Sequence, residues 1–262
     1  MRVLVTGGSG SLGLHLLPEL LQAGHDVLAL SRRPRPKDHI VTWVEADLTT
    51  GAGLDNALDG VDTVIHAASD PRRPQDVDLN GTKRLLEAAR SAGVGHFVYV
   101  SIVGVDAIPY PYYQCKHTVE GLVRTSRVRY SIVRATQFHA FVDAMLSALA
   151  RVPLVMPLPA GFKVQSIAAE EVAAYLARRV AAGPSGWTDD VAGPEVLTLE
   201  EAARAWMEAR GVRRHIVRIP APGGTARAFR EGKNLAPYAA SSGVTWREWL
   251  RRDVVPSPGV VI

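Results

Sequence analysis

Two groups of residues in this sequence have the types and the spacing to do chemistry. The first is Gly7-Gly8-Ser9-Gly10-Ser11-Leu12-Gly13, which follows a β-branched run from Val3 to Val5 and precedes an amphipathic stretch. In a strand–turn–helix unit, Gly7 permits the tight turn and Gly10 lets the backbone approach a pyrophosphate. Gly13 lets the helix pack closely. The helix opens over Ser11, Leu12 and Gly13, where unpaired N–H groups and the dipole favour phosphate. The spacing is G-x-x-G-x-x-G, with Gly8 as an extra, rather than the G-x-G-x-x-G of the dehydrogenase fingerprint. The second group is Pro111-Tyr112-Tyr113-Gln114-Cys115-Lys116, with Glu120 four residues beyond the lysine. On a helix, Tyr112 and Lys116 share a face. A phenol titrates near pH ~10 and is a poor acid or base at neutrality. A neighbouring ammonium favours the phenolate and makes the pair competent for proton transfer. Tyr113 competes for that role from one position out of register.

The elements that must position these groups alternate along the chain. Leu12 to Ala23 has helical apolar spacing and ends at Gly24, although Pro18 falls inside it. Asp26 to Leu30 reads as strand two, Ile40 to Ala46 as strand three and Val61 to Ala68 as a buried strand four. A helix from Val77 to Ala92 precedes strand five, His96 to Ser101. A further helix begins near Tyr112, and Tyr130 to Arg134 is strand six. The fold class is therefore α/β, a Rossmann-type doubly wound parallel sheet over residues 1–134. Residues 135–262 read as a small, mostly helical substrate-binding portion packed on that core within a single-domain chain. Its helices span His139–Ala150, Ala168–Ala182, Thr198–Arg210 (opened by a Thr198/Glu201 capping box), Thr225–Glu231 and Thr245–Arg252. A candidate strand covers Arg213–Ile219.

The end of strand two selects the cofactor. A carboxylate there would take the adenosine ribose hydroxyls, whereas arginine accommodates a 2′-phosphate. Here the strand runs into Ser31, Arg32 and Arg33, with no carboxylate until Asp38. Guanidinium groups grip phosphate bidentately, so NADP(H) is expected over NAD(H).

Composition narrows the remaining classes. At 262 residues the chain can bury a large core, and its net charge of +4 is mild. The one dense basic patch, Arg32 to Lys37, has no nucleic-acid-binding signature beside it. No apolar run is long enough to span a membrane, and the N-terminus reads as strand and glycine loop rather than signal peptide. The single cysteine, Cys115, excludes an internal disulfide and fits a reducing cytoplasm. The eight histidines have no metal-ligand spacing, so no metal is expected. His66, inside an apolar strand, reads as a satisfied core histidine. Cys115 reads as structural, and Trp206, Trp246 and Trp249 as core or interface.

Asp47-Leu48, His66-Ala67-Ala68, Asn80-Gly81-Thr82, Ser101 and P-Y-x-x-x-K-x-x-x-E follow the glycine turn in one order. That order resembles the short-chain dehydrogenase/reductase superfamily, on its extended and atypical NmrA-like side. The resemblance covers about residues 1–134. It implies that Gly7, Gly10 and Gly13 line the pyrophosphate and that Asp47 with Leu48 holds the adenine. It also implies that Ala67 and Ala68 pack under the ribose or nicotinamide. Lys116 would hydrogen-bond the nicotinamide ribose and tune Tyr112, the proton donor, while Ser101 would orient substrate. In extended members the serine usually stands nearer the place of Val103, and the Ser101–Tyr112 stretch is short for a sugar-nucleotide epimerase. Gln137, Phe138 and His139, just past strand six, are expected to contact substrate.

The sequence thus points to an NADP-dependent reductase for a small, largely apolar carbonyl, quinone or conjugated substrate, cytoplasmic and monomeric or homodimeric. No nucleic-acid or membrane partner is expected. A non-catalytic NADP-sensing regulator is the alternative, and a cofactor-retaining epimerase or dehydratase is a third.

Overall fold

Six strands and four α-helices, each short enough for an α/β unit, account for the first half of the chain. The computed structural model describes residues 1–35, 41–187, 190–240 and 242–252. It contains β1 (Arg2–Thr6), α1 (Gly13–Gln22), β2 (Asp26–Ser31), β3 (Thr42–Glu45), α2 (Leu54–Ala57) and β4 (Thr63–His66). A π-helical turn (Gln75–Asn80) then leads into α3 (Gly81–Ser91), β5 (His96–Ile102), α4 (Pro111–Thr125) and β6 (Tyr130–Ala135). Further on are α5 (His139–Leu149), β7 (Val155–Pro159), β8 (Lys163–Val164), α6 (Ala169–Ala182), β9 (Asp190–Val191) and β10 (Leu197–Thr198). The described chain closes with α7 (Leu199–Arg210), β11 (His215–Ile219), α8 (Gly224–Arg230) and α9 (Trp246–Arg251).

The central sheet has the order β3-β2-β1-β4-β5-β6-β9. β1 pairs in parallel with β2 on one side and β4 on the other, with Leu4 opposite both Leu28 and Val64. Strand order reverses at that point, which is the doubly wound topology expected, and it opens a crevice at the carboxyl ends of β1 and β4. Strand residues Val3, Leu4, Val5, Val64 and Ile65 are fully buried, as a sheet covered on both faces requires.

The chain divides into two compact units. The first comprises Met1–Ser101, Gln114–Arg134 and Ala169–Asp189; the second comprises Ile102–Tyr113, Ala135–Ala168 and Asp190–Ile262. The division differs from a simple break after Arg134. α6 returns to the first unit because its apolar face (Val172, Ala173, Leu176, Val180) packs with α1. Pro18 lies inside α1 on its exposed side. The first unit's core runs from Leu4 and Leu28 through Leu85, Phe97 and Tyr99 to Val119 and Ile132. The second unit has its own core around Val142, Leu146, Met156, Leu199, Trp206, Trp246 and Trp249, which places all three tryptophans inside.

The second unit carries more strand than its sequence indicates. β7 pairs in parallel with β11, and β8 pairs antiparallel with β10. Pro157 and Pro159 mask the strand signal of β7, although its burial alternates residue by residue. The expected Thr198/Glu201 capping box is present, and Thr245 with Glu248 forms a second one before α9. The first residue of the expected strand three, Ile40, lies outside the described residues, as do Lys37 and Asp38.

A buried ion cluster ties α4 to β6. Glu120 is fully buried, and its carboxylate accepts from Arg134 Nε at 2.8 Å and Nη2 at 2.7 Å, and from Arg124 at 3.0 Å. Both guanidinium groups lie over the Trp187 ring, 4.9 and 5.4 Å from its centroid. Burial pushes the Glu120 carboxyl up. The Arg134 bonds, the Ser101 hydroxyl and the two positive charges outweigh it and hold the group below the ordinary range. Removing one member leaves buried charge uncompensated. Glu120→Ala is therefore expected to cost about 3–5 kcal/mol of unfolding free energy in urea denaturation. A loss below about 1 kcal/mol, the value of a surface pair, would mean that the cluster is not structural.

Candidate functional site

The glycine turn is built as an anion cradle. Gly7 has φ +74°, and a Cβ there would meet the Ala67 and Ala68 backbone at 2.8 Å. At Gly13 a Cβ would stand 2.4 Å from the Gly7 carbonyl oxygen and 2.5 Å from Gly8, so α1 can start here only on glycine. Gly10 N–H closes the turn onto Gly7 O at 2.9 Å. No side chain caps α1, and the Ser11 and Leu12 amides have no acceptor among the described residues. These free donors at a helix N-terminus fit a pyrophosphate.

The neighbouring strand ends present charge. Ser31 Oγ donates to Arg33 O at 2.8 Å and accepts from Arg33 N at 3.3 Å, which fixes the bend after β2. The Arg32 and Arg33 side chains are exposed. Asp47 follows β3 and accepts from the Thr49 amide and hydroxyl, each at 2.7 Å. Its partial burial raises the carboxyl pKa, but those bonds and the charges of Arg32 and Arg73 hold it below the usual value. Leu48 is buried in the first unit's core, where a Cβ on Gly81 would come within 3.1 Å of its own.

Below the crevice lies a polar chain within the sheet. The Ala68 amide donates to Thr6 Oγ1 at 3.2 Å, and Thr6 Oγ1 meets His66 Nδ1 at 2.7 Å. His66 Nε2 meets Thr82 Oγ1 at 2.7 Å, and Thr82 in turn donates to the Asp78 carbonyl. The network assigns the proton of the neutral ring to Nε2, because Thr82 must accept while Thr6 donates. Burial, with the Lys116 charge, lowers the His66 pKa to about 3. His66 is thus a satisfied core histidine, and its chain holds Ala67 and Ala68 at the end of β4.

Lys116 is buried on α4. Its Nζ donates to Val100 O at 2.9 Å, lies 3.8 Å from Asp78 Oδ1 and stands 4.7 Å from the Tyr99 ring centroid. Ser101 is buried with its hydroxyl beside the Glu120 carboxylate. No hydrogen-bond partner reaches that hydroxyl among the described residues. Cys115 donates to Pro74 O at 3.4 Å, and burial pushes its thiol up, as a structural cysteine requires.

In the second unit, Tyr112 is half-buried against Val105, Ile108, Tyr113 and Phe229. Tyr113 is buried, accepts from Gln137 Nε2 at 3.0 Å, and is pushed by burial to about 12. Its phenol therefore stays protonated and does not compete as an acid–base group. Gln137 Oε1 has no hydrogen-bond partner among the described residues. Phe138 caps α5 through its backbone and is bridged to Ile167. His139 departs from expectation. It is 1% exposed, with Nδ1 on Ser166 Oγ at 2.8 Å and Nε2 on Val244 O at 3.0 Å, and it packs on Trp246 and Trp249. Both nitrogens are occupied, so it is a core residue and not a substrate contact. The residue that sequence reasoning missed is Asp78, concealed in a stretch that reads as ordinary helix.

The sequence profile of the NAD(P)H-binding family matches residues 7–183, from the glycine turn through α6. The chain belongs to that family. A 3-beta-hydroxysteroid dehydrogenase of Mycolicibacterium neoaurum is 37% identical over 115 residues, covering 38% of this chain and 31% of that protein. The photosystem II assembly factor Ycf39 of Synechocystis is 31% identical over 147 residues, covering 53% of this chain and 45% of its own length. The chain therefore spans less than half the length of these curated relatives. Among solved structures, an NADPH-dependent quinone oxidoreductase of Escherichia coli is similar over 95% of this chain and 98% of its own, with TM-score 0.76 at 20% identity. A nucleoside-diphosphate-sugar epimerase of Staphylococcus aureus is similar over 96% of this chain and 100% of its own, with TM-score 0.78 at 18% identity. The family match makes this an NAD(P)H-binding chain, and the structural likenesses show a Rossmann fold shared with that quinone oxidoreductase and that epimerase. No helix among the described residues is long and apolar enough to cross a membrane.

The buried histidines make stability pH-dependent. His66 is lowered to about 3, and His96, buried and near Arg179 and Arg129, to about 4. Each is neutral when folded and protonates freely when unfolded. Their contribution is complete above the unfolded pKa of about 6.5 and is lost as pH falls toward the folded values. Between about pH 7 and about pH 5, each is expected to remove about 2 kcal/mol from the unfolding free energy. Urea midpoints measured across that range should fall with the uptake of about two protons. A flat profile would mean that the two rings titrate alike in the folded and unfolded states.

Proposed function

We propose that this chain is an NADP-dependent reductase of the short-chain dehydrogenase type that acts on a small, largely apolar carbonyl, quinone or conjugated substrate. The observation that carries the reading is the uncapped start of α1 on a turn that only glycines can form. Bound NADPH would supply hydride; the protein's own residues bind, orient and handle the proton. The Ser11 and Leu12 amides hold the pyrophosphate at the α1 terminus. Asp47 presents an ionised carboxylate toward the adenine side, and Ala67 and Ala68 pack under the ribose or nicotinamide. Lys116 contacts the nicotinamide ribose, and Tyr112, four residues before it on α4, gives the proton. Gln137 and Phe138, which follow β6, are the proposed substrate contacts. The Escherichia coli quinone reductase likeness supports this substrate class. The reading carries with it a cytoplasmic, monomeric or homodimeric protein with no membrane or nucleic-acid partner.

Cofactor choice rests on Ser31, Arg32 and Arg33 at the end of β2. A charge-assisted bond to phosphate is worth about 1.5–3 kcal/mol, so replacing both arginines by alanine should weaken NADPH more than tenfold in a fluorescence titration. NADH binding should be unchanged. Equal affinity of the wild-type protein for both cofactors would overturn the assignment.

The Tyr112→Phe variant keeps the ring and removes the proton. Turnover with quinone or enone substrates should fall by about 10²–10⁴, with NADPH affinity nearly constant. Activity that survives in Tyr112→Phe would place the proton source elsewhere. The Ycf39 relative favours a second reading, a cofactor-binding assembly or sensing role without turnover. That reading takes precedence if no carbonyl, quinone or enone oxidises NADPH bound to the wild-type protein.

A further inference from the structure

Asp78 is a buried carboxylate that the glycine turn and the proton donor do not use. It sits in the π-helical turn before α3 and is 1% exposed. Oδ1 accepts from the Ser69 hydroxyl at 2.5 Å and Oδ2 from the Asp70 amide at 3.0 Å. Lys116 Nζ stands 3.8 Å from Oδ1. Ser69 and Asp70 directly follow Ala67 and Ala68, so one carboxylate is shared between the end of the β4 segment and the α4 lysine.

The other groups around the ammonium cannot serve as its counter-ion. His66 is neutral, and Tyr99 offers only its ring face. Cys115 on the same helix is held as a thiol by burial. Glu120, one turn farther along α4, is committed to Arg134 and Arg124. Burial lowers the Lys116 pKa, and Asp78 is the largest influence opposing it. A buried ammonium without a counter-charge gives up its proton.

We infer that Asp78 is a positioning residue that keeps Lys116 protonated in the interior and fixes its ammonium against the segment after β4. The inference rests on the reading of Lys116 as the ribose-facing cation. An asparagine there would keep one acceptor oxygen but no charge, and its amide would face either the Asp70 N–H or the ammonium, donor against donor.

The test uses the full chain with ¹³Cε-labelled lysine and no cofactor. The chain has five lysines, and the Lys116 signal is assigned from its loss in Lys116→Arg. In the wild type the signal should show the ammonium shift at neutral pH, and in Asp78→Asn its titration midpoint should fall below that of the wild type. An unchanged midpoint in Asp78→Asn overturns the inference. So does a wild-type Lys116 signal at the neutral-amine position at neutral pH, which needs no variant to fold. NADPH affinity, titrated in parallel, should weaken with rising pH in Asp78→Asn by at least about threefold more than in the wild type. A lowered midpoint without that pH dependence supports Asp78 as counter-ion and removes Lys116 from the cofactor contact. The failure of either idea is thereby distinguishable from that of the other.

Discussion

Helix α1 begins so close to the turn before it that residue 13 has room for no side chain. A Cβ there would overlap the Gly7 carbonyl and the Gly8 backbone, while one on Gly7 would overlap Ala67 and Ala68. The two contacts are linked through the turn itself. Together they lock the start of α1, the end of β1 and the end of β4 into one arrangement that side chains elsewhere cannot adjust. The N-cap position of α1 is Leu12, whose side chain offers no acceptor, so the Ser11 and Leu12 amides are left for an anion.

Buried polar groups continue this arrangement inward. The chain from the Ala68 amide through Thr6, His66 and Thr82 to the Asp78 carbonyl spans the carboxyl ends of β1 and β4 and the start of α3. Each hydroxyl both donates and accepts, so rotating one breaks its neighbours' bonds as well. An apolar core would leave those positions free to slide by fractions of an ångström. A network of this kind gives the β4 end one preferred geometry, at the expense of desolvating an imidazole. The Glu120 cluster plays the same part for α4 and β6, where two arginines neutralise one carboxylate over the Trp187 ring.

What was legible in the sequence is what short-range rules govern. The glycine spacing, the Thr198 capping box, the alternating strands and helices up to β6 and the core status of His66 and the tryptophans all follow from neighbours within a few residues. What was hidden depends on distant partners. His139 has the type and location of a ligand-binding residue, yet Ser166, Val244, Trp246 and Trp249 enclose it, and no local pattern announces them. The β7–β11 pair was obscured by two prolines that strand propensity counts against it. α6 lies far along the chain from α1, and only the fit of their apolar faces returns it to the first unit.

The adjacent tyrosines of α4 show how packing selects between residues that sequence alone cannot separate. Successive helical residues point about 100° apart, so Tyr112 and Tyr113 cannot face the same surroundings. Tyr113 turns into a cluster of Val105, Ile108, Ala228 and Phe229, where burial raises its pKa to about 12 and Gln137 donates to its oxygen. A phenol in that state holds its proton throughout the physiological range and serves as a structural acceptor. Tyr112 remains half-buried at the edge of the same cluster, on the helical phase of Lys116. Gln137, by spending its amide on Tyr113, is left with a carbonyl oxygen that has no partner.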